Sequence, residues 1–113
     1  MKEFMMLFRH IPASGVQQTP EAMQACRYRW QDWIGGIAAQ DKFVSTNKLG
    51  NQGKTVSANQ VITDGPYAAI KEIISGYIIV RADSLEEAVA LSAGCPILDA
   101  GGHVEIRNII RYH

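Results

Sequence analysis

Gly76-Tyr77-Ile78-Ile79-Val80-Arg81-Ala82 is the clearest strand in the chain, a run of β-branched and aromatic residues with a single charge near its end. Directly after it, Ser84-Leu85-Glu86-Glu87 has capping-box spacing, with Ser84 at the N-cap and Glu87 reaching back, so a helix begins there. Leu85, Ala88 and Val89 give this helix a short apolar stripe. It runs to Ala93-Gly94, and Cys95-Pro96 stops it. Gly101-Gly102 then leads into a last strand, His103 to Ile110. Val104, Ile106 and Ile110 fall on one of its faces; His103, Glu105 and Arg107 fall on the other.

Working back towards the N-terminus, a similar order precedes it. Glu3 to Arg9 is short, apolar and bounded by charge before Pro12, Ser14 and Gly15 interrupt it, which favours a strand buried on both faces. Thr19-Pro20-Glu21 announces a helix: Thr at the N-cap, Pro where its missing N–H costs nothing, and Glu near the positive end of the dipole. Met23, Cys26, Trp30, Trp33 and Ile37 recur at spacings of three and four, and the helix is finished by about Asp41. Phe43 to Leu49 and Thr55 to Ile62 read as two strands of a hairpin joined through Gly50-Asn51-Gln52-Gly53-Lys54.

The order is β-α-β-β-α-β, with a ragged segment before the 76–82 strand, over one domain spanning 1–113. The expected fold class is α+β: a ferredoxin-like antiparallel sheet with two helices on one face. Two helices cover only one side of such a sheet. The uncovered side carries Met5, Leu7, Tyr77 and Ile79 beside His103, Glu105 and Arg107, a mixture that suits a lined cleft enclosed by a second copy.

Composition narrows the function. A chain of 113 residues with a hydrophobic fraction of 47% hides about 65% of its unfolded surface on folding, which is enough for a core and not for a deep private cavity. Formal charge is zero, so there is no basic field for a nucleic-acid partner. Cys26 and Cys95 match neither a disulfide framework nor a zinc ribbon, and free thiols point to a reducing compartment. The apolar run Phe4 to Phe8 is too short for a signal or a membrane span. A cytoplasmic protein with no membrane partner is expected.

Between the hairpin and the 76–82 strand, Asp64-Gly65-Pro66-Tyr67 makes a turn, and Lys71-Glu72 follows within a few residues. Taken in order with Gly76-Tyr77, Cys95-Pro96 and Gly101-Gly102-His103-Val104-Glu105-Ile106-Arg107, these pieces resemble the YCII-related family, specifically its DGPF-domain branch, over nearly the whole chain. The resemblance implies a ferredoxin-like protomer of the dimeric α+β barrel superfamily, in which two sheets pack face to face and each protomer can carry a pocket. It implies less about chemistry: some relatives are regarded as small enzymes acting on aromatic or lactone-like metabolites, and some accompany sigma factors without an agreed activity. Tyr67 stands where the branch has Phe, and Ala69-Ile70 where an acid and Thr are common. The His-Asp pair proposed as catalytic in other relatives has no matching motif here.

Each candidate residue has a bland reading beside the chemical one. Asp64 serves as a general acid or base at a pocket mouth, or accepts backbone N–H bonds within its own turn. His10 and His103 are natural proton carriers at neutral pH, placed at strand ends that need not be close. Tyr67 and Tyr77 donate phenolic hydrogen bonds or simply pack their rings; Lys71 and Arg9 offer cations to an anionic ligand or to solvent. Glu105 and Arg107, two apart, form an ion pair in a cleft or a bridge across a dimer interface. No phosphate loop, nucleophile elbow or metal-ligand cluster stands out, so neither cofactor nor metal is expected. The functional expectation is a homodimer that binds a small organic molecule, with Asp64 and His10 as candidates for cofactor-free acid–base chemistry. The alternative is a non-catalytic regulatory or protein-interaction module.

Overall fold

The computed structural model describes residues 1–11, 19–50, 52–58, 62–64 and 73–111. In chain order they form β1 (Lys2–His10), α1 (Pro20–Ala39), β2 (Phe43–Lys48), β3 (Lys54–Val56), β4 (Ile62–Asp64), β5 (Ile73–Ala82), α2 (Leu85–Leu91), α3 (Pro96–Asp99) and β6 (His103–Asn108). Four strands make an antiparallel sheet in the order β2-β5-β1-β6. That is the ferredoxin-like arrangement, with the first and third strands of the motif at its centre and the second and fourth at its edges.

The hairpin is not the one expected from the sequence. Phe43–Lys48 pairs with β5, and the 55–62 run splits into β3 and β4, which make a separate two-stranded sheet with Lys54 opposite Asp64. Ser57 and Ala58 leave the strand conformation, as a polar turn-former in the middle of the run allows. Pairing β2 with β5 brings Phe43 level with Val80, which extends the apolar side of the sheet. Hydrophobic continuity outweighed proximity in sequence.

That apolar side carries the core. Phe4, Met6, Phe8, Ile78, Val80 and Ala82 are buried together with Ile37, Ala88, Cys95 and Ile97, and Trp30, Trp33, Ile34, Leu91, Val104 and Ile106 pack against them. Each large side chain taken fully out of water here contributes about 1.5–3 kcal/mol. Phe8, Trp30 and Trp33 meet edge to face, with centroids 5.0, 5.9 and 5.8 Å apart. Trp33 also donates its indole N–H to the Leu91 carbonyl at 3.0 Å, tying α1 to the end of α2.

Local signals explain the helix ends. Thr19 Oγ1 accepts from Ala22 N at 3.1 Å with Pro20 in the first turn. Asp41 takes a left-handed φ of 58° just past the C-cap Gln40, as an aspartate tolerates. The α1 stripe is narrower than its spacing suggests, because Met23 is 45% exposed. In α2, Leu85 and Val89 face solvent while Ala88 and Leu91 face the core, so the buried stripe is offset from the expected one. Pro96 does more than end a helix: it opens α3 from its first turn. Gly102 follows α3, where an added Cβ would lie 2.6 Å from the Arg9 carbonyl oxygen and 2.6 Å from Ile97 Cγ1. Strand β6 ends at Asn108, and Ile110 is 70% exposed beyond it, so Ile110 does not share the face of Val104 and Ile106.

Ser84 caps α2 by accepting from Glu87 N at 3.1 Å, and the Glu87 carboxylate engages Lys42 Nζ at 2.7 Å. The hydrogen bond from Lys42, reinforced by its charge, lowers the Glu87 pKa from 4.5 against an opposing effect of burial. A folded-state pKa below the unfolded value adds stability above the unfolded pKa, and that stability is lost as pH falls through the folded pKa. Lys42→Met is therefore expected to lower the urea midpoint at neutral pH. The gap to wild type should narrow as both are titrated below a pH of about 4.3; a gap unchanged at low pH would show that the pair does not cause it.

Candidate functional site

Among the described residues, the helices pack on one side of the sheet and leave the other side without a helix. Along β1 and β5, buried residues alternate with half-buried ones, which turns Met5, Leu7, Arg9, Tyr77 and Ile79 to the open side. The register sets them in rows: Ile79 beside Met5 beside Arg107, Tyr77 beside Leu7 beside Glu105, and Arg9 beside His103. Principal extents of 46 × 42 × 19 Å describe a slab two layers thick. The radius of gyration, 15.7 Å, exceeds the roughly 13 Å of a fully compact chain this long.

Arg9 Nε donates to Glu105 Oε1 at 3.0 Å, across the β1–β6 pairing. Arg107 stands on the other side of the same carboxylate, its NH1 3.9 Å from Oε2. That is an ion-pair distance and not a hydrogen bond, so the main partner of Glu105 is Arg9 and not Arg107, which is largely exposed with its donors open to another acceptor. The expected Glu105–Arg107 pair is thus a three-membered cluster. Sequence spacing gave no sign of Arg9, because the contact depends on which strands are neighbours.

Tyr77 lies in the adjoining row, where Asn47 Nδ2 donates to its hydroxyl oxygen at 2.8 Å. The phenol accepts in that contact, so its own proton remains available to an acceptor on the open side. Asn47 is the residue that the sequence reading missed; only the β2–β5 register, which sets it beside Tyr77, reveals it. Met5, Leu7 and Ile79 supply apolar surface between these polar groups. The face can therefore receive a small molecule with an apolar body and one or two hydrogen-bond acceptors.

Other candidates are placed differently. His10, one residue beyond Arg9, falls on the opposite side of the pleat, and its buried Nδ1 has no hydrogen-bond partner among the described residues. The ends of β1 and β6 that carry His10 and His103 are close after all, since Arg9 pairs with His103. Asp64 ends β4 and so belongs to the two-stranded sheet and not to the sheet of Arg9 and Glu105. Tyr67 and Lys71 lie outside the described residues. Cys95 is buried at the start of α3, and desolvation pushes its thiol up to about 11, so it stays protonated at neutral pH and packs as a core residue.

Among the described residues, two of the shallow grooves in the surface are lined by neither Arg9, Tyr77, His103 nor Glu105. One, of about 390 Å³, lies among Lys2, Phe4, Leu85, Ile106, Arg107 and Asn108. The second, of about 440 Å³, lies among Met1, Lys2, Glu3, Arg81, Ile109 and Arg111. Among the described residues, no group of three His, Cys, Asp or Glu side chains stands ready for a metal ion, and no helix is long and apolar enough to cross a membrane.

A family model of the YCII-related domain matches residues 3–113. The chain belongs to the YCII-related family. The match runs from the first strand through β6 and takes in every element that builds the open face. None of the curated proteins compared with the chain matches it.

Proposed function

We propose that the protein is a homodimer whose two open sheet faces pack against each other and leave a chamber for a small organic molecule. Arg9, Tyr77, His103, Glu105 and Arg107 line it, and Met5, Leu7 and Ile79 form its apolar wall. The observation that carries this reading is the row of half-buried apolar side chains on β1 and β5 set directly beside the Arg9–Glu105–Arg107 cluster. A face of this kind has too much apolar surface to stay wet and too many ionic groups for a dry interface. In this reading a second copy supplies the wall over these residues.

The ligand class that fits is an aromatic or lactone-like compound with a carbonyl acceptor. The Tyr77 hydroxyl and the Arg107 guanidinium donate to the acceptor, and the Leu7–Ile79 surface takes the ring. Asp64-Gly65-Pro66-Tyr67 assigns the chain to the DGPF branch in this reading, and the free thiols of Cys26 and Cys95 suit a reducing cytoplasm. Turnover without a cofactor is the extension of this reading; His10, on the opposite side of the pleat, does not face the chamber, which leaves Asp64 as the candidate proton carrier.

NMR titration with a panel of aromatic acids and lactones tests the binding. At least one compound should shift the resonances of Leu7, Tyr77 and Glu105, and Tyr77→Phe should weaken it by about fivefold to tenfold, the cost of one hydrogen bond. Absence of any binder, or binding indifferent to both Tyr77→Phe and Arg107→Ala, would remove the chamber from the account. For a compound that binds, loss of turnover in Asp64→Asn with binding retained assigns Asp64 to the chemistry. Binding with no turnover in the wild type leaves a carrier or regulatory module.

A further inference from the structure

At the far end of β1 from Arg9, the 440 Å³ groove has an unusual charge arrangement. Glu3 and Arg81 are directly opposite each other in the β1–β5 pairing, which normally makes a cross-strand ion pair. They do not pair here. The segment after β6 continues beside β1, where Ile109 N donates to the Glu3 carbonyl at 3.0 Å and Arg111 NH2 binds the Glu3 carboxylate. Arg81 is left half-buried, and its guanidinium has no hydrogen bond or ion pair among the described residues. Lys2 also lines the groove, so three cationic side chains face one carboxylate that is already engaged.

The half-buried Arg81 thus carries a guanidinium charge with no anionic partner among the described residues. Its fork of donors matches the two oxygens of a carboxylate or phosphate. The volume, about 440 Å³, lies within the range of small-ligand sites, and Met1 and Ile109 add apolar wall. We propose that this groove is a binding site for a small organic oxyanion, held by Arg81 with Lys2 and Arg111 beside it. The groove lies on the open side of the sheet, since Glu3 and Arg81 alternate with Met5 and Ile79 there, but at the end away from the Arg9–Glu105 pair: Glu3 and Arg9 are separated by roughly 20 Å of strand. Arg111 has a second task, since by neutralising Glu3 it keeps that carboxylate from closing on Arg81.

The test is a titration of isotopically labelled protein with inorganic phosphate and, separately, with benzoate, followed by amide resonances. Saturable shifts should be confined to residues around Lys2, Glu3, Arg81 and Ile109, and the arm that saturates identifies which oxyanion the groove prefers. Arg81→Gln should weaken that binding about tenfold or more, whereas Lys48→Gln, an exposed cation on β2, should leave it unchanged. Arg81→Gln should also melt no lower than wild type, because it removes a charge that nothing in the fold pairs. The proposal is overturned if neither probe saturates, if Lys48→Gln weakens binding as much as Arg81→Gln, or if Arg81→Gln lowers Tm by several degrees.

Discussion

Phe8→Ala is expected to lower the unfolding free energy by about 3–5 kcal/mol, the largest loss of any single truncation in the sheet. Phe8 is 5% exposed, and its ring meets both Trp30 and Trp33 edge to face; each such pair adds about 0.5–1.5 kcal/mol beyond the area it buries. Its neighbour on β5 is Gly76, which has no side chain to fall into the space. No larger residue can stand there either, since a Cβ on Gly76 would lie 2.9 Å from the Asn47 carbonyl oxygen. The cavity therefore stays open, and domains of this size hold only about 5–15 kcal/mol in total. Urea unfolding measures the effect, with Phe8→Leu retaining most of the stability. A loss below about 1 kcal/mol for the alanine variant would mean that the three-ring cluster does not anchor α1 to the sheet.

Leu7→Glu is expected to abolish self-association while leaving the protomer folded. Leu7 is at the centre of the open face, on an inner strand and between Tyr77 and Glu105. A carboxylate there replaces apolar surface at the centre of the proposed interface and has to lose its water when a second copy closes over it. Desolvating a charge in this way costs several kcal/mol, and each 1.4 kcal/mol is tenfold in affinity, so the dissociation constant should rise by at least about a hundredfold. The protomer pays little because Leu7 is only half-buried in one chain. Light scattering and circular dichroism read the two consequences separately. A variant that associates as wild type does would place any interface elsewhere on the molecule.

What the sequence disclosed and what it hid divide along a physical line. Signals carried within a few residues were readable: the Thr19-Pro20 start of α1, the Ser84 cap of α2, and the alternation along β1 and β5 that puts Met5, Leu7, Tyr77 and Ile79 on one side. Signals that depend on which strand lies next to which were not. The partner of β2 was misassigned because a nearby run of strand-formers looked like half of a hairpin, whereas the sheet chose β5 to extend its apolar side. Arg9–Glu105 was missed for the same reason, since 96 residues separate the two and only the β1–β6 pairing brings them within 3.0 Å. Glu87 shows the local version of the problem: its spacing from Ser84 predicts that it reaches back, as its hydrogen bond with the Asp83 backbone bears out, but nothing local announces Lys42, which also engages the carboxylate.

Hydroxyl-radical footprinting of the wild-type protein over a range of concentrations tests the shielding of the open face most directly, because two methionines make an internal comparison. Met5 lies on that face, and Met23 is exposed on α1. As the protein is raised from nanomolar to micromolar concentration, the oxidation of Met5 should slow several-fold while that of Met23 stays constant. If Met5 and Met23 keep a fixed ratio of rates across the whole range, the face is not covered by a second copy.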